Sequence, residues 1–197
     1  MVKFLRRSPA GGHSLVIEEL GPDFLDSLKA GGFEEVDDDA LVEAVLRKFE
    51  ILQTREKKIK LLKNLAPLSE PWVLGVFLAL LGDSSEDTRV MAARELSCRE
   101  DCPLERLAER LQQPPWYAKS AILRVLSARK DRHAVAAIRG VIGDPNVDVR
   151  RAAAVALGEI GGPEARALLV RLTKDKNPVV RTAAAEALDK IVELKFL

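Results

Sequence analysis

The segment DPNVDVRRAAAVALG (residues 144–158) returns 31 residues later as DKNPVVRTAAAEAL (residues 175–188). In both, an Asp is followed two residues on by Asn, then by an Arg, an Ala column and a Leu. Asn146 and Asn177 are good helix N-caps, since a side-chain oxygen there accepts from the free N–H groups of the first turn. Asp148 in the first turn and Pro178 at the first helical position suit a helix start as well. Ala153 and Leu157, like Ala184 and Leu188, stand four apart and define one buried helix face.

Worked outward, the same register runs through most of the chain. Lys58, Arg89, Lys119, Arg150 and Arg181 are successively 31, 30, 31 and 31 residues apart, each followed seven residues later by Leu65, Leu96, Leu126, Leu157 or Leu188. Four residues before each cation stands a cap position: Thr54, Ser85, Pro115, Asn146 and Asn177. Upstream of the caps, a second helix carries three apolar columns. These are Val42, Val73, Leu104, Val135 and Ala165; Val45, Val76, Leu107, Ile138 and Leu168; and Phe49, Leu80, Leu111, Ile142 and Leu172. Pro67, Pro71, Pro103 and the run Gly161-Gly162-Pro163 break the pattern between helices. A period in this range marks a stacked array, in which no single helix pair buries its own faces. The expected fold is an all-α solenoid of five helix pairs, at about residues 38–67, 68–99, 100–130, 131–161 and 162–197, with a complete fifth repeat at its end.

Composition agrees. The chain has 197 residues, 47% hydrophobic but only 5% aromatic, so its core must be aliphatic and rich in Ala. Net charge is +1, with 8 basic against 12 acidic residues over positions 1–57, 8 against 9 over 58–113, and 15 against 9 over 114–197. The basic C-terminal part could attract nucleic acid or an acidic partner, or could simply be solvated. Cys98 and Cys102 have no His or further Cys nearby, so they are expected to be reduced bystanders rather than zinc ligands. Neither a signal-peptide core nor a membrane span is evident, and a cytoplasmic, monomeric protein is expected.

Residues 1–37 lie outside the pattern. Phe24, Leu25 and Leu28 share one face of a short helix expected over 22–30, which would cap the open end of the array; a disordered arm is the alternative.

The repeated segments resemble HEAT repeats, of the short kind seen in phycobilin-lyase-like proteins. That resemblance implies a hydrogen-bonded ladder between repeats, built from an Asp in the turn within each repeat and an Arg six residues later: Asp83 with Arg89, Asp144 with Arg150, Asp175 with Arg181. Leu52/Lys58 and Gln113/Lys119 depart from it, and the ladder is expected to be interrupted there. It also implies that the capped helix of each pair lines the concave side. On that basis the position five after each register cation faces the groove, giving the basic stripe Lys63, Arg94 and Arg124, ended by Val155 and Glu186. Such a stripe would suit an acidic peptide, a phosphate or nucleic acid; a plain solvated face is the alternative. Trp116 and Tyr117, behind Pro114-Pro115, are a candidate binding hot spot or a filler for the missing Asp and cap.

Catalytic patterns are lacking in the sequence. His13 and His133 are not followed by Glu, as the iron motifs of HEAT-repeat deoxyhypusine hydroxylases would require, and no phosphate-binding loop or nucleophile elbow occurs. One Tyr and two Trp are too few for a HEAT-like DNA glycosylase groove. The expectation is a non-enzymatic scaffold without cofactor or metal, binding a protein on its concave groove through Lys63, Arg94, Arg124, Trp116 and Tyr117. A chromophore-lyase-like or maturation factor, and nucleic-acid binding through the basic C-terminal half, are the other readings.

Overall fold

A computed structural model describes residues 38–112 and 115–193. The expected helix at 22–30, the residues Gln113 and Pro114, and the last four residues lie outside the described part. Every regular element described is helical: α1 (Asp38–Ile51), α2 (Arg55–Leu65), α3 (Pro71–Leu80), α4 (Glu86–Cys98), α5 (Leu104–Arg110), α6 (Trp116–Arg129), α7 (Ala134–Arg139), α8 (Val147–Ile160), α9 (Gly162–Leu172) and α10 (Pro178–Glu193). No described helix is long and apolar enough to cross a membrane.

The chain divides into two compact units at Leu80/Leu81. In the first, α1 packs on α3. Gly75 permits that approach, because a Cβ there would meet Val42 Cγ2 at 2.7 Å. Its core comprises Leu41, Val45, Phe49, Leu61, Leu62, Leu65, Trp72, Val73, Val76 and Phe77, all buried.

In the second unit the helices form two layers. The capped helices α4, α6, α8 and α10 each pack on the next, and α5, α7 and α9 do the same beside them. Leu96, Leu126 and Leu157 are fully buried, as are Ala92, Ala153 and Ala184 from the column four residues earlier. This is a stack of helix pairs sharing one aliphatic core, the arrangement of an α-solenoid. Gly158 lets α8 and α10 close together: a Cβ on it would lie 2.6 Å from Ala187 Cβ and 3.1 Å from Ala187 Cα. Gly158→Ala should therefore destabilise the unit by about 1–3 kcal/mol through overpacking rather than stabilise it by helix propensity, as thermal unfolding would show.

Four positions depart from the expected columns, one of them Leu188, which is half-buried on the last helix described. Val42, Leu104 and Ile142 are only half-buried, while Leu41 and Val141 are buried instead. For Ile142 the cause is local. Gly140 and Val141 donate to Ala137 and Ile138, three residues back, so the end of α7 tightens and Val141, rather than Ile142, falls under Ile138. The break between α8 and α9 uses Gly161 and Gly162 at φ 70° and 92°, which only glycine adopts without strain.

Caps form at three of the four expected positions, and Ser85 is the exception. Thr54 Oγ1 accepts from Lys57 N, Asn146 Oδ1 from Asp148 N and Val149 N, and Asn177 Oδ1 from Val179 N. Ser85 makes no side-chain cap, and Pro115 has none to make. At Ser85 the first turn is set from the other side: its own N–H donates to Asp83 Oδ1 at 2.8 Å.

Candidate functional site

Asp83, Asp144 and Asp175 each close a turn by accepting the N–H two residues on, from Ser85, Asn146 and Asn177, at 2.8 Å in all three. That turn orients the Asp main-chain carbonyl toward its own helix, where the register arginine takes it. Nη1 of Arg89, Arg150 and Arg181 donates to the carbonyl of Asp83, Asp144 and Asp175 at 2.7, 2.8 and 2.9 Å, and each also reaches the next carbonyl. Within a repeat, then, the Arg binds main chain and not carboxylate.

The carboxylate comes from the following repeat. Arg150 Nε and Nη2 hold Asp175 Oδ2 and Oδ1 at 2.8 and 3.0 Å, with side chains only 4% and 9% exposed. Lys119 Nζ reaches Asp144 Oδ2 at 2.7 Å. The expected interruption at Lys119 is thus corrected: lysine serves as the cation of that rung, because the Asp it needs is supplied 25 residues later and not six residues earlier. The Arg150 guanidinium, by its hydrogen bonds, is the main cause holding the Asp175 carboxyl below the usual carboxylate range, against the opposing effect of burial.

Arg89 is paired differently. No described carboxylate lies within bridging distance of it; instead its guanidinium carbon sits over the Tyr117 ring, 4.7 Å from the centroid. Tyr117 is half-buried and meets Trp116 edge-on, with centroids 5.8 Å apart. Trp116 itself is 46% exposed. In the other unit, Lys58 sits 4.6 Å from the Phe49 ring centroid, also a cation over an aromatic face.

Arg89, Trp116 and Tyr117 border an open pocket of roughly 200 Å³ on the N-terminal halves of α4, α6 and α8. Arg89, Trp116, Tyr117, Arg124 and Arg151 line it, with the acids Glu86 and Asp148. The pocket brings Arg124 together with both aromatics, but neither Arg94 nor Lys63 belongs to it. Lys63, Arg94, Arg124, Val155 and Glu186 are all exposed. Lys63 borders a separate, shallower pocket of roughly 400 Å³ along α2, with Arg55, Glu56, Ile59 and Lys60.

Arg151 and Glu86 were not expected at a site, and Asp148 was expected only as a helix-start residue. Their signal lay in the first turns: Glu86 stands three residues before Arg89, and Asp148 three before Arg151, spacings that put each pair on one helix face. Asp148 Oδ1 lies 3.8 Å from Arg151 Nε, with both side chains about half exposed. Such a pair is weakly coupled, and Arg151 stays available to another anion.

His133 packs its Nδ1 2.8 Å from Asp131 Oδ1 at the surface, a local turn contact away from the pocket. Cys98 is exposed and Cys102 buried, both as free thiols, and burial pushes the Cys102 thiol up. No group of three metal-ligating side chains occurs among the described residues.

A family model described as HEAT repeats matches residues 104–189, which spans α5 to α9 and most of α10. No curated protein matches the chain.

Proposed function

The chain is a HEAT-repeat protein, and from that premise we propose that it works as a non-enzymatic scaffold, binding a protein partner on the face formed by the helices α4, α6 and α8 of its second unit. HEAT repeats generally mediate protein–protein interaction. The observation that carries the reading is the pocket on the N-terminal halves of α4, α6 and α8, where an exposed Trp116 stands among arginines. Trp, Tyr and Arg are the side chains most often found at the energetic centre of protein interfaces. Glu86 and Asp148 between the arginines favour a protein over a nucleic acid, since a phosphate backbone is best met by cations alone.

The test is affinity capture from the source cell with wild type, with Trp116→Ala/Arg124→Glu, and with the charge reversals at Lys63, Arg94 and Arg124 together. Titration of the captured partner should show the double variant weakened by about tenfold or more, with helical circular dichroism unchanged. A partner bound equally well by all three proteins would remove this face from the interaction.

A further inference from the structure

We infer that the pocket receives a carboxylate side chain from an acidic segment of the protein partner, seated on Arg89 as Asp175 is seated on Arg150. The inference rests on the scaffold reading above and names what that scaffold recognises.

The repeat supplies its own internal standard. Arg150 uses Nη1 for its own turn carbonyls and Nε with Nη2 for the carboxylate of the next repeat. Arg89 uses Nη1 in the same way, on the carbonyls of Asp83 and Ser84. The position six residues before Lys119, where the other repeats carry Asp144 and Asp175, is Gln113. Arg89 is therefore anchored like a ladder arginine but lacks the acid its register calls for. The guanidinium carbon lies 4.7 Å from the Tyr117 ring centroid, and Nε and Nη2 make no hydrogen bond among the described residues, which leaves them to meet a carboxylate in bidentate fashion.

The surroundings fit the same ligand. Arg124 and Arg151 stand on the pocket wall, so three arginines outnumber the two acids there. Trp116 and Val90, 46% and 39% exposed, offer apolar surface to the residues flanking the acid. A space of roughly 200 Å³ suits one short side chain and its backbone rather than a large cofactor.

The probe is a random twelve-residue peptide display library selected on the full chain. Selected peptides should share an Asp or Glu at one position, beside aromatic or aliphatic residues. For a synthetic peptide of that consensus, replacing the acid with its amide should weaken binding about tenfold in wild type and hardly at all in Arg89→Gln, the coupling expected of a close charge pair. Since Arg89→Gln could loosen the fold, Gln113→Asp is the second arm. By register it supplies the missing acid within the chain, and it should weaken the acidic peptide to a similar degree while keeping the melting temperature at or above wild type. Peptides without a shared acid, or an amide penalty equal in wild type and Arg89→Gln, would overturn the inference and leave the scaffold standing. A selection whose peptides bind Trp116→Ala/Arg124→Glu as well as wild type would instead remove the scaffold reading of this face.

Discussion

Arg150→Ala should lower the stability of the second unit by about 3–5 kcal/mol, measured by urea unfolding at pH 7, the range found when one partner of a buried, hydrogen-bonded ion pair is removed. Arg150 and Asp175 are 4% and 9% exposed, and the alanine leaves three acceptors behind: the Asp175 carboxylate and the carbonyls of Asp144 and Pro145. Arg150→Lys should cost much less, about 1 kcal/mol, because lysine already fills the same register at Lys119, holding Asp144 through a single contact. Asp175→Asn adds a pH test. Its folded carboxyl is held below the usual range, chiefly by Arg150, so its contribution is full above the unfolded pKa of about 4 and is lost as pH falls through the folded value. Arg150 stays protonated throughout. The gap in urea midpoint between wild type and Asp175→Asn should therefore be widest near neutral pH and close in acid; a constant gap would mean that ionisation of Asp175 does not contribute to stability.

The ladder shows how far the sequence could be read. Spacing placed the cation column and the leucine column, because i and i+4 positions share a helix face whatever surrounds them. Spacing could not tell which Asp an Arg grips. The acid six residues earlier is nearer in sequence, but its carboxylate is drawn into its own turn by the N–H of Ser85, Asn146 or Asn177. Only the stacking of α8 on α10 brings Asp175 to Arg150. The shift from Ile142 to Val141 had a similar origin, since a tightened last turn changes the phase of a column without changing its residue types. Trp116 and Tyr117 were visible as irregular residues, yet their division of labour depends on Arg89, one repeat away: Tyr117 lies under the guanidinium and Trp116 stays in solvent. The pocket also drew on Glu86, Asp148 and Arg151, which no column predicts, because column arguments find cores and pass over the rims around them.

Leu157→Ala should be as costly as loss of the ion pair, at about 3–5 kcal/mol, whereas Leu188→Ala, in the same register one repeat later, should cost about 1 kcal/mol. The two leucines differ only in their neighbours. Leu157 is fully buried on α8, which packs against α6 and α10 on either side and against α7 and α9 in the other layer. Leu188 is half-buried on α10, which packs on α8 and α9. In a stacked array each repeat is stabilised by its nearest neighbours, so equal side chains contribute unequally according to how many sides are covered. Removing an already half-hydrated leucine leaves little cavity, because water and neighbouring side chains occupy the space. Equal losses of urea midpoint for the two variants would mean that α10 is covered in solution by something beyond the described residues, either another part of the chain or a second copy. Comparing the unfolding of Leu188→Ala at low and high protein concentration separates those two cases, since only a second copy makes the midpoint concentration-dependent.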